Sequence, residues 1–240
     1  MLISEVLLLI LGAYLLGSIP SAYLAAKWAR GIDIRQYGSG NSGVSNILTL
    51  GSKWWLIPVT VFDLGKGMLP VYLAQLIDLP LGQQVIIGLA AIAGHNWTIF
   101  LRFDGGRGIL TTAGVIFILA PWLALVLTII TFAGLPFRQV ALSTVIALTL
   151  SPIFSWFMSG PFGIEKSPFL TLGLVTILLL AVLRRLTAPR TTVTASVPSG
   201  ELIINRLLFD RDIRDRKAWI NRTPSPTPPD NRQEEKPTKG

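Results

Sequence analysis

The sequence predicts an all-α, polytopic integral membrane protein of about seven transmembrane helices, two of them short, followed by a tail. Three observations carry this. Of 240 residues, 51% are hydrophobic and only 14% charged, with a mean hydropathy of +0.58, a balance foreign to ordinary soluble domains. The apolar runs are too many and too long for one core. Basic residues gather in the short segments between those runs, as they do on the cytoplasmic side of helical membrane proteins.

Apolar segments fall at 2–26, 54–77, 84–101, 108–134, 139–158 and 167–183. The first is read as a membrane helix rather than a cleavable signal. It carries Glu5, lacks a basic n-region, and outlasts the roughly 7–15 residues of a signal h-region. Each of the others except the fourth reads as one crossing of a ~30 Å hydrocarbon layer, with 84–101 at the short end. The fourth, "GILTTAGVIFILAPWLALVLTIITFAG", decides the count. As a single pass it would strand Arg138, and then Arg184, Arg185 and the basic tail, on the side away from Lys27, Arg30, Arg35 and Lys53. Splitting it at Ala120-Pro121 into a hairpin of two short helices, each below the ~20 residues of a full crossing, returns every basic segment to one side. The N-terminus is then outside and the C-terminus cytoplasmic.

The membrane domain is drawn at 1–186 and the cytoplasmic tail at 187–240. Within the tail, 201–219 mixes Leu202, Ile203, Leu207 and Leu208 with charge at helical spacing and is expected to form an amphipathic helix on the membrane surface. "TPSPTPPDNRQEEKPTKG" has the composition of a disordered segment. No internal repeat is visible, which disfavours the inverted-repeat transporters.

The net charge of +8 does not indicate a nucleic-acid partner. From Arg184 onward there are twelve Lys/Arg and seven Asp/Glu, a balance of +5, and the rest lies between apolar runs. Topology and anionic membrane lipids account for it. With no Cys and one His, disulfides, thiolate sites and His-rich metal sites are excluded, and no metal or cofactor is expected.

Polar islands on the predicted cytoplasmic side carry the chemistry. In "GIDIRQYGSGNSGVSN", Gly38, Gly40 and Gly43 allow a backbone nest, with Arg35, Ser39, Asn41, Ser42, Ser45 and Asn46 adding side-chain donors; such a surface suits phosphate. A flexible linker would have the same composition. In "GHNWTIFLRFDGGRGILTT", Gly105, Gly106 and Gly108 open into a helix, Arg107 can grip phosphate through two N–H groups, and Thr111 follows in the first turn. His95 reads either as part of this site or as a hydrogen-bonded structural residue, and it is not assigned as a base. Asp63 and Lys66, at i and i+3 in an apolar span, share a helix face and read as a wall of the site or as a packing ion pair. "FRQVALST" adds Arg138, which interfacial snorkelling explains nearly as well. There is no Ser/His/Asp order and no metal cluster, so covalent catalysis has little support; holding two reactants and neutralising charge remains.

In these residues the sequence resembles the bacterial acyl-phosphate:glycerol-3-phosphate acyltransferases, the PlsY-type membrane family. The pieces are "LLGSIPSAYL", "DIRQYGSGNSGVSN", "FDLGKGMLPV", "GHNWTIFLRFDGGRG" and "FRQVALST", in order, over about 12–183. The resemblance implies a seven-helix enzyme of the plasma membrane, its site facing the cytoplasm. It would transfer an acyl group from acyl phosphate to glycerol 3-phosphate to give lysophosphatidic acid, with no metal and no acyl-enzyme. It implies Ser39, Asn41 and Arg107 as catalytic candidates and places the other residues above around the substrates. Four departures stand out. Arg107 replaces the Lys of "GGKG", Thr49 stands where "GATNVxR" has Arg, and Ala141 takes the "RYVSL" serine position. The third motif, HxxNxxRLxxGxE, is not found where the last apolar run ends in "RRLTAPRTTVTASVP". Arg184 and Arg185 are expected to supply the missing charge. A diverged member with another acceptor, a non-catalytic binder of anionic lipid or acyl phosphate and a small-anion transporter are the alternatives, the last weak because only Asp63 and Lys66 are charged in the interior of a span, Glu5 lying at the end of the first.

Overall fold

The structure, a computed structural model, describes residues 3–49, 53–163, 166–190 and 192–221. Its elements are α1 (Ile3–Ser18), α2 (Ser21–Arg30), α3 (Val44–Thr49), α4 (Leu56–Leu76), α5 (Leu81–Asn96), α6 (Ile109–Leu119), α7 (Pro121–Ala133), α8 (Val140–Phe157), α9 (Pro168–Leu186), α10 (Ser199–Phe209) and α11 (Arg216–Ile220), with no strand among the described residues. Five spans are long and apolar enough to cross a membrane, α1 and α2 together making the first, and α6 and α7 are shorter apolar helices. The hairpin expected at Ala120-Pro121 is present: Pro121 opens α7, where its missing N–H is no loss and its fixed φ suits the first turn. Leu8, Ile57, Val61, Ile129 and Leu172 point outward and exposed, as lipid-facing side chains do.

Two expectations change. The apolar stretch 2–26 is not one helix: Pro20 cannot donate a backbone N–H, and α1 stops at Ser18 before α2 restarts at Ser21. Segment 201–219 is two helices. Asp210, with φ 54°, ends α10, and α11 begins only at Arg216. Nor is α10 simply laid on a surface, because it packs against α8 and α9. The Pro-rich segment expected to be disordered lies outside the described residues.

Two helix pairs approach by backbone contact. A Cβ on Gly17 of α1 would lie 2.1 Å from the Ala91 carbonyl oxygen of α5, and one on Gly94 of α5 would lie 2.1 Å from that of Tyr14. Between α4 and α6, Gly67 faces the Thr111 carbonyl at 2.1 Å and Gly114 faces that of Leu64 at 2.2 Å. Such reciprocal small residues bring membrane helices close where no hydrophobic drive separates protein from lipid. A larger apolar core, built on Val71, Ile92, Val115, Leu123, Leu148 and Leu174, joins α4 to α9.

Candidate active site

Several helix ends meet at one level: Ser18 ends α1, Asn96 ends α5, and Gly108 opens α6. The Lys66 ammonium reaches from α4 to the Ile19 carbonyl at 3.1 Å and pairs with Asp63 Oδ1 at 2.8 Å. The same carboxylate oxygen accepts from Ser21 Oγ at 2.6 Å. Both members of the pair are almost fully buried, and the break at Pro20 is what supplies partners for them. The i, i+3 expectation therefore holds as geometry: the pair bolts α4 to the broken first span.

His95 completes this cluster. Thr111 Oγ1 donates its only hydrogen to the Asp63 carbonyl at 3.0 Å, so it must accept from His95 Nδ1 at 3.3 Å. The network thus assigns the proton to Nδ1 and leaves Nε2 as an acceptor. That nitrogen lies against Gly106, where a Cβ would come within 2.1 Å of it. Ser42, Lys66, His95, Gly105 and Gly106 line one cavity of about 10 Å³, with Ser18 and Thr98 in the same wall. That is room for about one water. Among the described residues, the hydroxyls of Ser18 and Ser42 are buried there without a hydrogen-bond partner.

The first island is a folded loop rather than a linker. Gly38 and Gly40 adopt φ of 54° and 73°, which glycine alone takes freely. Asn46 is fully buried and uses its whole amide inside the loop: Nδ2 donates to the Ile34 and Tyr37 carbonyls, and Oδ1 accepts from the Ser39 N–H. Asn46 therefore shapes the cradle instead of offering donors to a ligand. Ser39 Oγ accepts from the Asn41 N–H at 3.4 Å, Gly43 gives its carbonyl to the Asn46 N–H, and Ser45 is exposed on α3. Arg35 makes two contacts with Asp33, at 3.0 and 2.7 Å, and lies 3.5 Å from Asp104. Burial alone would raise the Asp33 carboxyl, but the hydrogen bonds from the Arg35 side chain and backbone outweigh it and hold the carboxyl below its ordinary value.

The glycine turn ahead of α6 is partly committed. The N–H groups of Gly105 and Gly106 donate to the Asn96 and His95 carbonyls. Their own carbonyls accept from Arg184, which also pairs with Asp104 at 2.8 Å. Arg107 donates Nη1 to the Arg184 carbonyl at 2.8 Å. Arg185 holds the carbonyls of Ala141 and Leu207. Arg184 and Arg185, expected to supply the charge of the missing motif, are buried with their guanidinium groups bonded to the protein, so any charge they supply acts through these contacts rather than from free side chains. Arg138, exposed at the turn before α8, makes no hydrogen bond or ion pair to this cluster. The structure joins the first three islands and leaves the fourth aside.

Beside Arg107 opens an apolar cavity of about 440 Å³ between α4, α6, α7, α8 and α9. Its walls include Met68, Phe117, Leu127 and Leu148, and its polar groups include Arg107, Thr112, Thr144 and Arg185. A polar cluster rich in cations thus adjoins a slot fit for a hydrocarbon chain.

Several residues of this architecture escaped the sequence reading: Ser21, Asn96, Asp104, Arg206, Asp210 and Asp212. One signal was available. "RLLFDRD", from Arg206, fits the RLxxGxE part of the third motif, with Asp210 at the Gly position and Asp212 at the Glu position. It lies on α10 and just past it, not directly after the last membrane helix. Gly200 and Ile203 fall where His and Asn are expected. Arg206 caps α9 by donating to the Leu186 and Ala188 carbonyls at 2.8 Å and pairs with Asp212 at 2.7 Å.

The family profile described as glycerol-3-phosphate acyltransferase matches residues 7–191. The chain is 44% identical over 218 residues to glycerol-3-phosphate acyltransferase 4 of Dehalococcoides mccartyi (strain CBDB1), covering 90% of this chain and 93% of that one. It is 41% identical over 153 residues to the glycerol-3-phosphate acyltransferase of Endomicrobium trichonymphae, covering 63% of this chain and 77% of that one. A crystal structure of PlsY (YgiH), an integral membrane glycerol 3-phosphate acyltransferase in its glycerol 3-phosphate form, matches with a TM-score of 0.70 at 28% identity. The match covers 88% of this chain and 96% of the other.

Proposed function

The chain belongs to the glycerol-3-phosphate acyltransferase family, and from that premise we propose that its donor is an acyl phosphate, used in a site formed by the first three polar islands. It is a multi-pass membrane enzyme that acylates glycerol 3-phosphate to lysophosphatidic acid. The observation that supports the donor and the site is the adjacency of Arg107 to both the cationic cluster and the 440 Å³ apolar slot. An acyl phosphate has that shape: an anionic head on a hydrocarbon chain.

In this reading the chain of the donor lies in the slot. Its phosphate meets Arg107, whose Nη2 has no hydrogen-bond partner given among the described residues, at the glycine turn that opens α6. Ser39, Asn41, Ser42, Ser45 and the glycines of the first loop line the cradle, with Arg35, Lys66, His95 and Thr111 fixing its floor. The 1-hydroxyl of glycerol 3-phosphate attacks the acyl carbonyl. The carbonyl–phosphate bond breaks, and the hydroxyl proton leaves with the departing phosphate, so no protein base is required. The protein contributes proximity and neutralisation of the developing phosphate charge. Arg138 takes no part. The site faces the cytoplasm of the plasma membrane, N-terminus outside, because every basic segment then lies on one side.

The test is acyl transfer by purified protein in bilayers, from acyl phosphate to labelled glycerol 3-phosphate. Labelled lysophosphatidic acid should form, and Arg107→Ala should abolish it. Equal turnover with acyl-CoA or acyl carrier protein as sole donor would overturn the assignment of the donor.

A further inference from the structure

Arg107 is not only a residue of the membrane domain facing a substrate. Its Nε sits 2.9 Å from Asp210 Oδ1, on a segment that follows all the membrane helices. Both groups are largely buried, and among the described residues neither atom has an aligned hydrogen-bond partner, so the contact is ionic rather than a directed bond. Asp210 holds φ 54°, a conformation that costs a non-glycine residue free energy and that Asp tolerates better than most. A carboxylate is therefore kept where glycine would be easier, and it faces the Arg107 guanidinium, which lines the apolar slot.

The segment is firmly attached. Arg206 binds the last carbonyls of α9, Arg185 binds the Leu207 carbonyl, and Asp212 accepts from both Arg206 and Thr194. The ends of α9 and α10 thus form one rigid block, which fixes where Asp210 can reach. Two positions that depart from the family patterns, Arg for Lys at 107 and Asp for Gly at 210, are the two that touch.

We propose that Asp210 is a positioning residue for Arg107 in the acyl-transfer reaction. With Nε beside Asp210 and Nη1 on the Arg184 carbonyl, the guanidinium plane is fixed and Nη2 is directed at the anion. A lysine at 107 would need no such clamp, because an ammonium is a point charge without a plane. A guanidinium without a clamp loses the geometry on which two-point phosphate recognition depends.

This rests on the reading under Proposed function, and the experiment separates the two. Wild type, D210N, D210G, R107K and R107K/D210G are assayed for kcat and KM with acyl phosphate. The same five are tested for protection against thermal unfolding by inorganic phosphate. Asn also tolerates the left-handed conformation, so D210N should fold as wild type does, and D210G should be at least as stable. Each single variant should lose about tenfold in kcat/KM, equivalent to about 1.4 kcal/mol. R107K/D210G should be no worse than either single variant, where independent effects would multiply. D210G with unchanged kinetics and unchanged phosphate protection would overturn the proposal. So would D210N that turns over faster than wild type, since Asp210 would then compete with the substrate anion. A wild type that makes no product from acyl phosphate would defeat the donor assignment instead, and phosphate protection across the five would still judge the pairing.

Discussion

Gly67→Ala tests whether the site depends on the contact between α4 and α6. In a helix interior this change ordinarily stabilises by about 1 kcal/mol, because alanine has the higher helix propensity. Here the added carbon would stand 2.1 Å from the Thr111 carbonyl oxygen, where ordinary contact begins at 3.4 Å, a shortfall of 1.3 Å (3.4 less 2.1). Neither partner is a flexible side chain, so the helices must part. Overpacking of this kind costs about 1–3 kcal/mol, enough to reverse the propensity gain. The displacement would also draw Thr111 away from the Asp63 carbonyl and disturb the His95 orientation. Gly65→Ala, two residues away on the same helix and facing open space, supplies the control. Thermal unfolding in one detergent and acyl transfer in one bilayer should place G65A at or above wild type in stability with full activity, and G67A below it in both. If G67A matches G65A in both assays, the close approach has no part in the site and the argument fails.

Further outcomes follow from the same geometry. Gly106→Ala would set a carbon 2.1 Å from His95 Nε2 and expel the ring, so activity should fall by an order of magnitude or more while the circular dichroism spectrum stays helical. Arg206→Met leaves the Asp212 carboxylate buried without its ion-pair partner, held only by Thr194, and uncaps α9; a loss of about 3–5 kcal/mol is expected, seen as early proteolysis of the tail. The Asp33 carboxyl is held below its ordinary value, so its pairing stabilises the folded state above the unfolded carboxylate range and that benefit fades as pH falls through the folded value. Asp33→Asn should therefore lower the unfolding temperature at neutral pH, and the gap to wild type should close in acid.

What the sequence reveals follows from how local the cause is. The split between α6 and α7 is visible because Pro121 and the charge parity of distant segments agree. The Asp63–Lys66 pair is visible because two charges three residues apart in an apolar span must find each other. The break at Pro20 is harder: Gly17 to Ser21 keeps the run apolar enough that hydropathy barely dips, although the proline was there to be read. The contacts of Arg107 with Asp210 and of Arg184 with Asp104 join residues remote in sequence, and no local pattern announces them. Asn46 shows the opposite failure. Its position in a Gly/Ser loop suggests a ligand donor, yet every donor and acceptor of its amide is taken by the loop itself.

The shortness of α6 sets a depth. Along α4, Asp63 lies about 10 Å from the first residue and Gln75 about 28 Å, at 1.5 Å per residue. Thr111, near the start of α6, bonds to Asp63, while Ile118, near its end, accepts from Gln75. The eleven residues of α6 therefore run beside only the farther part of α4, and the glycine turn that opens α6 sits about 10 Å along α4 from its first residue, at 1.5 Å per residue. The polar cluster is thus set inward from the helix end by about two turns, level with the entrance to the apolar slot that Arg107 lines. Under the proposed function, a hydrocarbon tail and a phosphate head would meet at that depth.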